Sequence, residues 1–126
     1  MVKEIFAIIM LLLIFFVTMY NTWYIDDLVD RIMDKVDASE AYALQGNSES
    51  SIEEMTKATD IWEESNSYIR SHLDQTNTDH ITDGFYNVLG DLISEDFNHA
   101  GISYSWLRTH LIGLADMEKI SLTSIF

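Results

Sequence analysis

The hydrophobic positions along this chain fall into two unlike patterns. Residues 5–19 are apolar on every side, holding only Ile, Phe, Ala, Met, Leu, Val and a single Thr, and residues 20–25 extend the stretch without a charge. From Ile25 the apolar positions become periodic: Ile25, Leu28, Val29, Ile32, Met33 and Val36 recur three and four apart, the spacing of one helix face. The two patterns join without a break, so the sequence predicts one helix running on to about Leu44, with Gly46-Asn47 as its stop signal.

Three further helices follow from the same periodicity. Ser50-Ser51-Ile52-Glu53 has the form of a capping box, with Ser50 as cap and Glu53 reaching back. It opens a helix with the stripe Ile52, Met55, Ala58, Trp62, Ile69 and Leu73, ending near Gln75. Thr78 or Asp79 opens the third, carrying Ile81, Phe85, Val88, Leu89, Leu92 and Ile93. Gly84 and Gly90 interrupt that helix at about 1 kcal/mol each relative to Ala, which predicts close backbone packing or fraying. Ser94, followed by Glu95 and Asp96, starts the fourth, whose apolar positions Phe97, Ala100, Tyr104, Leu107, Leu111 and Leu114 form a narrow seam. The ending MEKISLTSIF carries Ile120, Leu122, Ile125 and Phe126, and is predicted to pack onto the bundle as an extended tail or to meet a partner. The fold class expected is therefore all-α: an N-terminal transmembrane helix continuing into an antiparallel bundle of about four helices with an apolar C-terminal tail.

Length decides how the first segment is read. The uncharged residues 5–25 make roughly 31 Å of helix at ~1.5 Å per residue, close to the thickness of a bilayer's hydrocarbon core. Tyr20, Trp23 and Tyr24 lie at one end of it, where amphipathic rings favour the headgroup region. A cleaved signal peptide would need small residues before the cut, and Tyr, Asn, Thr, Trp and bulky aliphatics stand there instead. Residues 1–25 are therefore expected to be an uncleaved signal anchor in the cell membrane and residues 26–126 an acidic domain. A short N-terminus before one span implies N-terminus inside and domain outside, although Arg31 and Lys35 on the far flank count the other way.

Charge narrows the partners. The chain has 7 basic and 21 acidic residues, a net charge of −14, and losing Lys3 and Glu4 with the first segment leaves that value unchanged. Such a charge repels nucleic acid and keeps the domain soluble beside a membrane. Asp26, Asp30, Asp34 and Asp37 fall four, four and three apart, an acidic stripe that reads first as a solvated face and second as a surface for a basic partner or a divalent cation. Cysteine and proline are both absent, which removes thiol chemistry and favours long uninterrupted helices.

Catalytic patterns do not emerge. The histidines His72, His80, His99 and His110 form no i, i+4 pair and no zinc-protease or di-iron spacing. His72 and His80 flank a turn with Asp74 and Asp79 nearby, where a metal or acid–base site is conceivable and a cap or surface hydrogen bond simpler. There is no phosphate-binding glycine loop and no nucleophile elbow, so neither an enzyme nor a cofactor is expected.

The N-terminal span, Trp62-Glu63 late in the second helix, Asp79-His80-Ile81-Thr82-Asp83 opening the third, and the terminal MEKISLTSIF together resemble the DUF4363 family of small Firmicutes membrane proteins. Ser124 stands where that family has Asn, and the His80 segment lacks the Glu that usually follows. The resemblance implies a single-pass protein, often encoded beside a multi-span DUF421 (YetF-like) membrane protein and so an accessory subunit. The expected function is a membrane-anchored interaction protein that binds another membrane or envelope protein. Asp26, Asp30, Asp34, Asp37, Trp62, His80, Ile125 and Phe126 are its candidate surface. A self-assembling homo-oligomer is the alternative, and a cation-binding protein using His80 and nearby carboxylates a third reading.

Overall fold

A computed structural model describes the backbone of residues 1–72 and 75–125, and their side chains except at 66–67, 69–72, 75–77 and 118–125. The order is α1 (Val2–Leu44), α2 (Ser48–His72), α3 (Gln75–Ile93) and α4 (Phe97–Ile125). No proline or glycine occurs before Gly46, so nothing in α1 interrupts the hydrogen-bond ladder over its 43 residues.

Each helix packs antiparallel against its neighbours in sequence, and α4 closes the ring on α1. Burial begins only at the middle of α1. Residues 2–20 project from the bundle as an apolar stalk, long and apolar enough to cross a membrane. Ile25, Leu28, Val29, Ile32 and Val36 then enter the core, where they meet Met55, Ala58, Trp62, Phe85, Leu107 and Leu111. Each fully buried aliphatic side chain contributes about 1.5–3 kcal/mol relative to exposure. The predicted stripes are the core, with one difference among the described residues. Ile93 is 69% exposed, because it sits about 100° round α3 from the buried Leu92. Leu73 and the Ile69 side chain lie outside the described residues.

The helix ends also differ from expectation. Gly46 takes the left-handed conformation (φ 76°), its N–H donates to Ala43 O at 3.0 Å, and Asn47 N–H donates to Tyr42 O at 3.0 Å. That Schellman closure hands directly to the next cap, since Asn47 Oδ1 accepts the Ser50 N–H at 3.2 Å. Asn47, not Ser50, is therefore the cap of α2, and Glu53 lies near Lys57 (3.6 Å) instead of closing a box. The α3–α4 turn repeats the device. Glu95 is left-handed (φ 59°), Asp96 N–H donates to Asp91 O, and Asp96 Oδ1 accepts the His99 N–H. Ser94, the expected cap, bonds back to Gly90 O instead. Helix α3 begins at Gln75, about a turn before Thr78, and the backbone of α4 stays helical through Ile125 where an extended tail was expected.

The two glycines of α3 have different reasons. A Cβ on Gly84 would lie 2.6 Å from the Trp106 ring, whereas one on Gly90 would meet nothing within 4 Å. Gly84→Ala should therefore destabilise by about 1–3 kcal/mol through overpacking, and Gly90→Ala should stabilise by up to about 1 kcal/mol through the unfolded chain. Denaturant titration followed by the helical circular-dichroism signal checks this; effects of the same sign would contradict it.

Candidate functional site

The aromatic residues at the stalk end form a collar. Tyr20 and Trp23 are exposed, with ring centroids 6.2 Å apart, and Tyr20 also stacks near Tyr24 at 6.4 Å. Tyr24 is half-buried because Tyr68 of α2 packs on it, centroid to centroid at 4.4 Å. The Tyr68 hydroxyl donates to Asn21 Oδ1 at 2.6 Å. The collar therefore spans two helices, and fixes where α1 stops projecting and starts packing. Asn21 and Tyr68 escape a sequence reading because nothing local links positions 47 apart.

The acidic stripe of α1 is divided by its surroundings. Asp30 and Asp34 are exposed, Asp27 pairs with Arg31 at 3.1 Å, and Asp26 is half-buried. Asp37 Oδ1 accepts from Arg108 of α4 at 2.8 Å, and Glu40 accepts from the same guanidinium at 3.2 Å. Burial opposes the charge of Arg108, but the hydrogen bond it donates to Asp37 and the proximity of Glu40 outweigh that and raise its pKa. The lower stripe therefore clamps α4 to α1, and the upper stripe faces solvent.

The remaining candidates separate. Trp62 is fully buried, its ring 5.8 Å from Phe85 and its Nε1–H donating to Thr82 Oγ1 at 2.8 Å, so it belongs to the core and not to the surface expected for it. The large indole supplies burial, and Thr82 satisfies the polar edge that burial would otherwise strand. His80 is exposed in the second turn of α3. His72 has no described side chain, Asp74 lies outside the described residues, as does Phe126, and Ile125 ends α4 with its side chain undescribed. Among the described residues no three of His, Asp and Glu converge as metal ligands.

Two polar clusters were not foreseen. Ser39, Ser51 and Tyr104 meet in the core at 0–1% exposure. Ser39 Oγ donates to Ser51 O and Ser51 Oγ to Ser39 O, both at 2.8 Å. Both serine protons are thereby committed, so Tyr104 O–H is the donor, 2.6 Å from Ser39 Oγ. Burial pushes the Tyr104 phenol up, against hydrogen bonds with Ser39 and Ser51 that pull it down, which keeps the proton this arrangement needs. The available signal was that Ser39 and Ser51 continue the apolar stripes of Val36 and Met55 at helical spacing.

The second cluster ties α3 to α4. Asp91 Oδ2 accepts from Ser103 Oγ at 2.6 Å and pairs with His99 Nδ1 at 2.7 Å. Burial alone would raise the Asp91 carboxyl, but the Ser103 and His99 hydrogen bonds hold it below its ordinary range. The hydrogen bond to Asp91 raises His99 in turn. Serine and imidazole share one carboxylate oxygen and do not form a nucleophile–base pair, so the arrangement is a clasp.

Both clusters make predictions. Ser39→Ala with Ser51→Ala strands the Tyr104 hydroxyl and should cost about 1–3 kcal/mol. Adding Tyr104→Phe should recover part of that loss in denaturant titration; a triple variant less stable than the double would contradict the assignment. The clasp should contribute fully between the unfolded-state values, about pH 4 for Asp and about 6.5 for His. It is lost as pH rises through the raised pKa of His99 or falls through the lowered one of Asp91. The melting-temperature difference between wild type and His99→Ala should therefore peak near pH 5–6 and shrink above neutrality; a pH-independent difference would contradict it.

No family model matches this chain, and neither a curated protein nor a solved structure does.

Proposed function

We propose that the protein is a single-pass membrane protein whose acidic helical bundle stands outside the cytoplasm and serves as an accessory or interaction module for another membrane or envelope protein. The observation that carries this reading is the course of α1. None of its first 20 residues is buried, yet the same helix enters the core from Ile25 onward. An apolar segment left this exposed needs a non-aqueous surrounding, and a bilayer supplies it.

The collar supports the same placement, because Tyr20, Trp23 and Tyr24 lie between the bare segment and the first carboxylates, Asp26 and Asp27. The resemblance to the DUF4363 family supports a multi-span DUF421 (YetF-like) protein as the partner.

Two fractionations test this. The chain should stay with membranes through carbonate extraction at high pH, and its bundle should be digested by protease added to intact spheroplasts. Cross-linked native membranes should yield it with a specific integral membrane protein. Release by carbonate, or protection from external protease, would overturn the placement; recovery only as a free chain would overturn the interaction role.

A further inference from the structure

We propose that the end of α4 is a second membrane contact: residues 120–125 stand beside the stalk in the outer headgroup–acyl boundary, so the bundle meets lipid through two helices. The placement rests on the single-pass reading above. Helices α1 and α4 run antiparallel and rise equally, about 1.5 Å per residue, so one contact between them fixes which residues share a height. Arg108 meets Asp37 at 2.8 Å. Counting on from that pair brings Lys119 level with Asp26, Ser121 with Tyr24 and Ile125 with Tyr20. The Ser39–Tyr104 hydrogen bond gives the same heights to within about half a turn. The helical backbone of α4 therefore descends through the whole of the aromatic collar.

Two independent patterns agree with that height. Charge stops on both helices at one level: toward the stalk, Asp26 is the last charged side chain of α1 before the apolar span and Lys119 the last of α4, with none in residues 120–126. A lysine suits such a limit, because its aliphatic stem lets the ammonium reach lipid phosphates. The buried stripe of α1 also does not stop at Ile25. Thr22, Thr18 and Phe15 continue it at steps of three, four and three and are half-buried, while Phe16, Val17 and Met19 beside them are exposed. The stalk is therefore flanked on that one side as it leaves the core.

Height selects lipid as the occupant. From Lys119 to Ile125 α4 descends about 9 Å, more than the roughly 5–7 Å of one headgroup layer, so its last turn reaches the acyl chains. The stretch mixes Ile120, Leu122 and Ile125 with Ser121, Thr123 and Ser124, apolar and hydroxyl residues that suit a boundary between water and hydrocarbon. Helix α2 reaches the collar as well, through the Tyr68 bond to Asn21, but Arg70 follows two residues on. A guanidinium is a partner for phosphates and not for acyl chains, so α2 ends among headgroups where α4 passes them.

The chain contains no cysteine, so a nitroxide label can be placed at one position at a time. Full-length Ser124→Cys, Ile102→Cys and Leu12→Cys are labelled in vesicles of phosphatidylcholine and phosphatidylglycerol; Ser124 falls on nearly the same side of α4 as the exposed Ile102, about six turns further down. Power saturation compares oxygen, which concentrates among acyl chains, with a nickel chelate confined to water. The ratio of oxygen to nickel access should be several-fold higher at Ser124 and Leu12 than at Ile102. Nickel access at Ser124 equal to that at Ile102, with Leu12 in lipid, overturns the contact alone, whereas nickel access at Leu12 overturns the single-pass reading. A Ser124 label shielded from both reagents is covered by protein, which also overturns the lipid contact. Ile120→Asp with Ile125→Asp should raise nickel access at Ser124 several-fold while leaving Ile102, Leu12 and the helical signal unchanged; an unmoved Ser124 would overturn it.

Discussion

Helix α1 carries two unlike surfaces on one unbroken hydrogen-bond ladder. Between its two ends its backbone groups are paired within the helix, so side chains alone decide what each part can touch. Residues 5–19 are apolar on every side but for one threonine and none of them is buried, whereas from Ile25 one face is buried and the other acidic. The change happens within about a turn, at Tyr20 to Tyr24. A bend or a loop there would uncouple the two parts; without one, the orientation of the stalk fixes that of the bundle.

The other helices are aligned to α1 by a few polar contacts set into an otherwise apolar core. At the distal end Ser39, Ser51 and Tyr104 lock α1, α2 and α4 at one level, and the Arg108 clamp to Asp37 and Glu40 on either side of Ser39 reinforces the α1–α4 alignment. At the stalk end the Tyr68 hydroxyl bond to Asn21 holds α2 at the level of the collar. Apolar stripes alone would tolerate a shift of one turn. A buried hydroxyl that loses its partner costs about 1–3 kcal/mol, which penalises every other alignment.

Much of this was legible along the chain. Ile25, Leu28, Ile32 and Val36, or Ala100, Tyr104, Leu107 and Leu111, announce buried faces because a helix repeats every 3.6 residues, and Gly46 announces a stop because its conformation excludes most other residues. The caps were misplaced because Asn47 and Asp96 each follow directly on a left-handed residue, so one short turn ends one helix and starts the next. At the second turn that residue is Glu95, which carries none of glycine's signal. The candidate surface was only partly legible. An acidic stripe is visible in sequence, but Asp37 is taken up by an arginine 71 residues away, and Trp62 turns inward because Phe85 and Thr82 complete its pocket.

On the proposed reading the bundle presents the acidic surface of α1 and α2 above a membrane, held upright by a continuous helix. Continuity of α1 in the mature protein is the claim on which this depends. The intact mass of the chain purified from membranes tests it most directly. A mass that includes the whole of α1, beginning at Met1 or Val2, is the predicted result; a mature chain starting anywhere between Thr18 and Asp27 would contradict it.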